Sequence, residues 1–407
     1  MHFSTKVIHA PYIKKDSHNA LQMPIYSNAS FEFAKAEDME SAFLGRQPDH
    51  VYTRISNPTV EAFENRVKNV TGALGVTALS SGMAAISNVF FTIAESGDNI
   101  ITSNNLFGNS YSFFNNTIRS FGVNPVFCDL TDIPSTESRI NQNTRAIFFE
   151  TITNPQLEVA DIARLSALAI KYNLLLIADS TCTPPNIFRA GDFGINVEVI
   201  SSTKAISSGA TSLGGLILDH GNFDWRHISK LKSHADKFGN FAFIAKLRKE
   251  VFRNIGACLS PYHANLQSVG FETMDLRYNK AAQNCKDMAE FLDHDDRVSG
   301  VNYPGLKNSK FYKISRRQFG ELPGTVLTFT LPSKGDCFEF LNRLTIMRRS
   351  TNLFDNKTLI IHPASTIYCE YSKEERAGMG VPDTLIRLSL GIEDSNDLIE
   401  DLNSALK

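Results

Sequence analysis

The chain has 407 residues, and its 41 Lys and Arg against 43 Asp and Glu leave a formal net charge of −2. That balance gives no support to nucleic-acid or acidic-membrane binding, and no apolar run approaches the length of a membrane span. Hydrophobic residues make up 42% and charged residues 21%, ordinary for a globular protein but spread over a chain too long for one simple core.

The six cysteines, Cys128, Cys182, Cys258, Cys285, Cys337 and Cys369, are scattered, with no Cys-x-x-Cys and no His partner at metal-ligand spacing. They read as free, mostly buried thiols of a reducing cytoplasm, with no metal site. The start, Met-His-Phe-Ser-Thr-Lys, lacks the apolar core of a signal peptide.

Residues 1–56 are polar and broken by Pro11, Pro24 and Pro48. This predicts an irregular segment that lies on something else. Asn57-Pro58 is a helix start, an N-cap followed by proline in the first turn. Val60, Phe63, Val67 and Val70 then recur at helical spacing up to Gly72. From there strands and helices alternate: strand Val76 to Leu79, helix Met83 to Glu95, strand Asn99 to Thr102, helix Ser110 to Phe121. Strands Val123 to Asp129 and Ala146 to Glu150 follow, then helix Ile162 to Tyr172 and a strand ending at Asp179. The alternation predicts a mostly parallel sheet covered on both faces. After Leu213 to Asp219 the pattern shifts to long helices, Phe241 to Ile255 and Pro261 to about Leu292. Strands Val326 to Leu331, Leu359 to Ile361 and Leu385 to Leu390, interleaved with helices and closed by Asp394 to Leu406, predict a smaller α/β domain entered near residue 257. The expected division is an arm (1–56), a large domain (57–256) and a small C-terminal domain (257–407).

Two strand ends carry chemistry. Val197, Val199 and Ile200 form a buried-strand pattern that runs into Ser201-Ser202-Thr203-Lys204. A lysine at a strand end is ordinarily solvated, but one held among hydroxyls with no acid beside it is a candidate desolvated amine, suited to Schiff-base chemistry with an aldehyde. Upstream, Leu174-Leu175-Leu176-Ile177-Ala178 runs into Asp179, which by itself reads equally as a helix N-cap. Ligands of α/β proteins sit beyond the carboxyl ends of the strands, so both side chains could face one crevice. Pyridoxal phosphate needs such a lysine and an acid for its ring nitrogen.

At this point the residues become recognisable. Tyr52-Thr-Arg54-Ile-Ser-Asn-Pro-Thr59, Ser80-Ser-Gly-Met83, Ala178-Asp-Ser-Thr181, Ser201-Ser-Thr-Lys204, Tyr303-Pro-Gly-Leu306, His362-Pro-Ala-Ser365 and Arg387-Leu-Ser-Leu-Gly391 occur in this order. The chain resembles the Cys/Met-metabolism family of pyridoxal-phosphate enzymes, from near the N-terminus to the last helix. The resemblance implies fold type I, the aspartate-aminotransferase architecture, with an arm reaching a neighbouring subunit of a homotetramer built from dimers with shared sites.

It also implies roles for particular residues. Lys204 and Asp179 would be catalytic. Gly82 and Met83, at a strand-to-helix turn suited to anions, would hold the cofactor phosphate with Ser201 and Thr203. Tyr52 and Arg54 would reach the phosphate in the partner chain. Phe107 stands where most of the family has a tyrosine stacked on the cofactor; it can stack but has no phenol. Asn154 would meet the ring hydroxyl. Arg387, inside an apolar strand and costly there unless paired, would bind the substrate α-carboxylate, joined by the backbone at Asn352. Phe354 stands where the family usually has glycine. Asn109 replaces the cysteine of methionine γ-lyases. His362 reads as a structural hydrogen-bonder.

Within the family, Asn222-Phe-Asp-Trp225, Phe243-Ile-Ala-Lys-Leu-Arg248, Gly256-Ala-Cys-Leu-Ser-Pro261 and Thr358-Leu-Ile-Ile-His-Pro-Ala-Ser-Thr366 look most like O-acetylhomoserine sulfhydrylases. That implies γ-replacement, taking O-acetyl-L-homoserine and sulfide or another sulfur donor, free or on a carrier protein, to L-homocysteine and acetate. Cystathionine γ-synthase and γ-lyase are the alternatives within the family; a non-catalytic binder on the same scaffold is the alternative outside it. No Gly-x-Gly-x-x-Gly follows a strand, against a nicotinamide dehydrogenase.

Overall fold

The computed structural model describes residues 1–9 and 18–406; Pro11 lies outside them. A seven-stranded sheet is built from β1 (Gly75–Leu79), β2 (Asn99–Ser103), β3 (Asn124–Cys128), β4 (Thr144–Glu150), β5 (Leu175–Asp179), β6 (Val197–Ile200) and β7 (Gly215–Asp219), in the order β1-β7-β6-β5-β4-β2-β3. β3, β2, β4, β5 and β6 are mutually parallel. β7 runs antiparallel to both neighbours, so the expected mostly parallel sheet is mixed at one edge.

The strands read as continuous apolar runs because both faces are covered. In β5, Leu176 and Ala178 enter one core while Leu175 and Ile177 enter the other; in β4, Ile147 and Phe149 oppose Ala146 and Phe148 in the same way. Period-two alternation thus serves two cores at once.

Pro58–Thr71 forms as its caps predict: the Asn57 side chain accepts from the Thr59 N–H at 2.9 Å, and Gly72 ends the helix in the left-handed region at φ 78°. Three expected helices are interrupted, among them Phe241 to Ile255, which runs from Ala242–Lys246 through a π-helical turn (Leu247–Phe252) into Arg253–Ile255. The stretch from Ser110 to Phe121 begins earlier, at Gly108, and passes through a π-helical turn (Phe113–Thr117) into a 3₁₀ turn (Ile118–Phe121). The helix predicted from Pro261 splits at Thr273 into Pro261–Glu272 and Met274–Asp293. There the Gly270 carbonyl accepts from Arg277 Nη2 at 2.6 Å, a side chain competing for a backbone acceptor.

The first residues are not all irregular. Phe3–Ile8 is a helix, and its Val7 is fully buried with Val67 and Val70 in the large core. Ser4 Oγ donates to Asp275 at 2.6 Å. This short piece gains its helicity from packing rather than length. Ala36–Phe43 is also helical, but buries no residue.

A second sheet, ordered β10-β11-β12-β9-β8, joins β8 (Gly300–Asn302), β9 (Val326–Thr330), β10 (Arg348–Arg349), β11 (Leu359–Ile361) and β12 (Leu385–Ser389). Met274–Asp293 spans both units: Met274, Tyr278 and Ala282 pack in the large core, Cys285, Met288 and Leu292 in the small one. No helix among the described residues is long and apolar enough to cross a membrane.

Candidate active site

Beyond the carboxyl ends of β4, β5 and β6 lies a cavity of about 390 Å³, lined among others by Gly82, Met83, Phe107, Asn109, Asn154, Asp179, Ser201, Thr203, Lys204 and Arg387. Residues from six separate stretches therefore converge where a parallel sheet opens a crevice.

Lys204 sits in the turn after β6, its N–H donating to the Ser201 carbonyl at 3.1 Å. Its ammonium donates to Asn352 Oδ1 at 2.6 Å. Burial, and then the charge of Arg387, bring the amine down to about 8, poised between ammonium and free base near neutral pH. Asp179 ends β5. Burial raises its carboxyl to about 6 against the hydrogen bonds of Thr181, whose N–H donates to Oδ1 at 2.9 Å. A cationic partner for Asp179 would reverse that rise.

Gly82 and Met83 open the helix Gly82–Ile93, capped by the Ser81 side chain accepting from the Ala84 N–H. A Cβ at Gly82 would lie 2.7 Å from that of Ser201, so only glycine lets the helix start approach the Lys204 turn. The Thr203 hydroxyl donates to the Gly214 carbonyl at 3.1 Å and accepts from its N–H at 3.0 Å; it must release that carbonyl before donating to a ligand.

Arg387, on β12, is buried at 2% exposure. Nη1 donates to Asn154 Oδ1 at 3.1 Å, and Nη2 to the carbonyls of Thr351 and Asn352 at 3.2 and 3.3 Å. Nε has no partner, and no carboxylate pairs with this guanidinium among the described residues. Burial lowers it to about 10. A buried cation satisfied only by neutral oxygens is a receptor for an anion.

Phe354, in the family's glycine position, has φ +56°. Its buried ring lies against Tyr278, centroids 6.2 Å apart, and that packing offsets a backbone cost glycine would avoid. His362 is held outside the cavity by Ser365 Oγ and the Asp383 carbonyl, each at 2.8 Å, the structural role expected of it.

Tyr52 and Arg54 are not brought to this cavity. Tyr52 is exposed, and Arg54 stacks over it and donates to the Arg253 carbonyl. Three groups escaped the sequence reading: Glu150 and Cys182, which line the cavity, and Glu198, buried behind Asp179 and bonded to Ser180 and His220. Glu150 ends β4, Cys182 follows β5 and Glu198 lies within β6, none with a motif of its own. The Cys182 thiol is pushed up by burial and by Glu150 and Asp179, so it is no thiolate. All six cysteines are free; Cys128, Cys285 and Cys337 are buried.

Comparison with known proteins decides the family. The model of the Cys/Met metabolism PLP-dependent enzymes matches residues 4–407. The chain belongs to that family. It is 33% identical to the L-methionine gamma-lyase of Pseudomonas putida over all of this chain and 97% of that one. It is also 33% identical to the O-acetyl-L-homoserine sulfhydrylase of Corynebacterium glutamicum, over 98% and 95%. A crystal structure from Campylobacter jejuni, described as a candidate O-acetylhomoserine (thiol)-lyase, superposes over the whole of both chains with a TM-score of 0.96 at 30% identity. It carries a pyridoxyl phosphate on the lysine at position 205 of that chain. The O-acetylhomoserine sulfhydrylase of Wolinella succinogenes is 44% identical over 86% of this chain and 97% of its own, with a TM-score of 0.78.

The donors present here fit the family's cofactor. One half-buried amine, one half-buried acid at the adjoining strand end and a helix start too tight for any side chain answer the aldehyde, the ring nitrogen and the phosphate.

Proposed function

We propose that the chain is a transferase performing γ-replacement, converting O-acetyl-L-homoserine and a sulfur donor to L-homocysteine and acetate. The observation that carries amino-acid chemistry is Arg387: a buried guanidinium without a carboxylate, in the cavity that holds Lys204. An α-carboxylate supplies the missing bidentate partner. The choice within the family rests on the full-length structural likeness to a chain described as an O-acetylhomoserine (thiol)-lyase.

In this reading Asp179 would hold the ring nitrogen, Gly82, Met83, Ser201 and Thr203 the phosphate, and Asn154 the ring hydroxyl, with Phe107 covering the ring. When bound, pyridoxal phosphate supplies an electron sink for charge developing at the substrate carbons. Arg387, with the Asn352 backbone, fixes the substrate carboxylate and so orients the Cα–H bond. Lys204, once free and neutral, takes the Cα proton and moves the Cβ proton, because burial and the charge of Arg387 let this amine shed its own proton near neutral pH. Phe107 brings no phenol, so these proton transfers fall to the one amine.

The same reading gives Tyr52 and Arg54 to the phosphate of a partner chain, in a homotetramer of dimers with shared sites. The apolar residues left exposed on Pro261–Glu272 and beyond it, Tyr262, Leu266, Val269 and Leu276, support burial against a second copy. Free thiols throughout support a reducing, cytoplasmic setting, and the sulfur donor is free or delivered by a carrier protein.

The likeness to the methionine γ-lyase of P. putida keeps γ-elimination as the second reading. The test is a direct comparison on purified protein. Homocysteine from O-acetylhomoserine and sulfide should form faster than 2-ketobutyrate is released from methionine; the reverse order makes the chain a lyase.

A further inference from the structure

Glu150 is the last residue of β4 and lies in register with Asp179 on β5. Its Oε1 accepts the Phe107 N–H at 2.7 Å, and the Asn154 N–H is directed to the same carboxyl. Those two amides come from different stretches, the loop after β2 and the turn after β4, and both residues put side chains into the cavity. One buried side chain therefore ties two sections of the cavity wall together.

We propose that Glu150 is a positioning residue: it clamps the main chain of Phe107 and Asn154 to the cavity wall and stands beside Asp179 as an uncharged acid. This rests on the reading of the cavity as the pyridoxal-phosphate site. The titratable groups that face Glu150 are Asp179 on the next strand, the half-buried Cys182 thiol and the buried Tyr368 phenol. None of them is a cation, and Lys204 and Arg387 make no ion pair with it. Two adjoining buried carboxyls cannot both ionise cheaply. Thr181 hydrogen-bonds the ionised form of Asp179 through both its N–H and its hydroxyl, whereas burial and then Asp179 itself hold Glu150 well above the ordinary carboxylate range, outweighing the Phe107 and Asn154 amides. The proton then stays on Glu150, whose carbonyl oxygen still accepts the Phe107 N–H. Asp179 is left as the anion at this wall, ready for a protonated ring nitrogen.

Glu150→Gln keeps the acceptor and the shape without an ionisable group, whereas Glu150→Ala leaves both buried amides unpaired. The readouts are hydrogen exchange at the Phe107 and Asn154 amides of the holoenzyme, the pH dependence of the cofactor absorption band, and kcat and KM. Glu150→Gln should leave exchange and band unchanged and keep kcat/KM within about threefold of the parent. Glu150→Ala should speed exchange at both amides by about tenfold or more and lower kcat/KM by a similar factor. Unchanged protection in Glu150→Ala overturns the clamp. A Glu150→Gln variant as impaired as Glu150→Ala overturns the uncharged state. Should the alanine variant not fold, Glu150→Asp, which withdraws the carboxyl by one methylene, takes its place with the same expectation. Exchange is read whether or not homocysteine forms, so loss of the clamp and loss of the proposed activity are separate results.

Discussion

At the ends of β4, β5 and β6, the groups that line the cavity stand on strands whose preceding residues are almost entirely shielded from solvent. The segment that carries Tyr52 and Arg54 is built differently. Its helix Ala36–Phe43 buries nothing, and Met39, Phe43 and Leu44 are each about half exposed. The first region is finished within one chain: Lys204 has Asn352, Asp179 has Thr181, and Arg387 lacks only an anion. The second has apolar side chains without cover and an arginine turned to a backbone carbonyl. Side chains assigned to one cofactor thus fall into a set that the fold converges and a set that it leaves outside. The second set is the part of the proposed site that calls for another copy of the chain.

The largest effect expected on the finished side is at Arg387. Arg387→Ala should lower kcat/KM for the amino-acid substrate by roughly a hundredfold or more, mostly through KM, because a carboxylate would lose its only buried cation. Arg387→Lys should recover little, since a point charge does not reproduce the planar fork. Unchanged steady-state kinetics would move carboxylate binding elsewhere.

A smaller effect separates the two regions. Arg54→Ala and Lys204→Ala chains, each impaired alone, should regain activity when mixed and allowed to exchange. Random pairing puts one intact site in half of the dimers, roughly a quarter of the parent activity. No recovery, with exchange demonstrated, would mean that Arg54 serves its own chain or none.

The same contrast shows what the sequence made legible. Lys204 and Asp179 stood out because each ends an apolar run, and a polar group at the carboxyl end of a buried strand has one natural place to point. Arg387 stood out because a cation inside an apolar strand demands a partner. Glu150 gave the same signal at the end of β4 and passed as a strand terminus, since its partners, the amides of Phe107 and Asn154, leave no mark in side-chain identity. The antiparallel course of β7 was equally hidden: the run Leu216-Ile217-Leu218 records burial but not direction. Phe3–Ile8 was missed because six residues carry too little periodicity, and Val7 becomes informative only once it meets Val67 and Val70. The break at Thr273 depends on Arg277 capturing a carbonyl seven residues back, a competition that spacing alone does not settle.

The central claim is that the amine at the end of β6 is the one that holds pyridoxal phosphate. The most direct test is borohydride trapping of the cofactor on protein first stripped of it, followed by peptide mapping, from about pH 6 to about pH 10. Because burial and Arg387 lower this amine to about 8, it is mostly protonated and unreactive below that value. Early capture should therefore rise about tenfold per pH unit and level off above about 8, where an ordinary lysine would keep rising towards about 10.4. The label should map to Lys204 and vanish in Lys204→Ala. Label on a different lysine, or undiminished in that variant, would contradict the account.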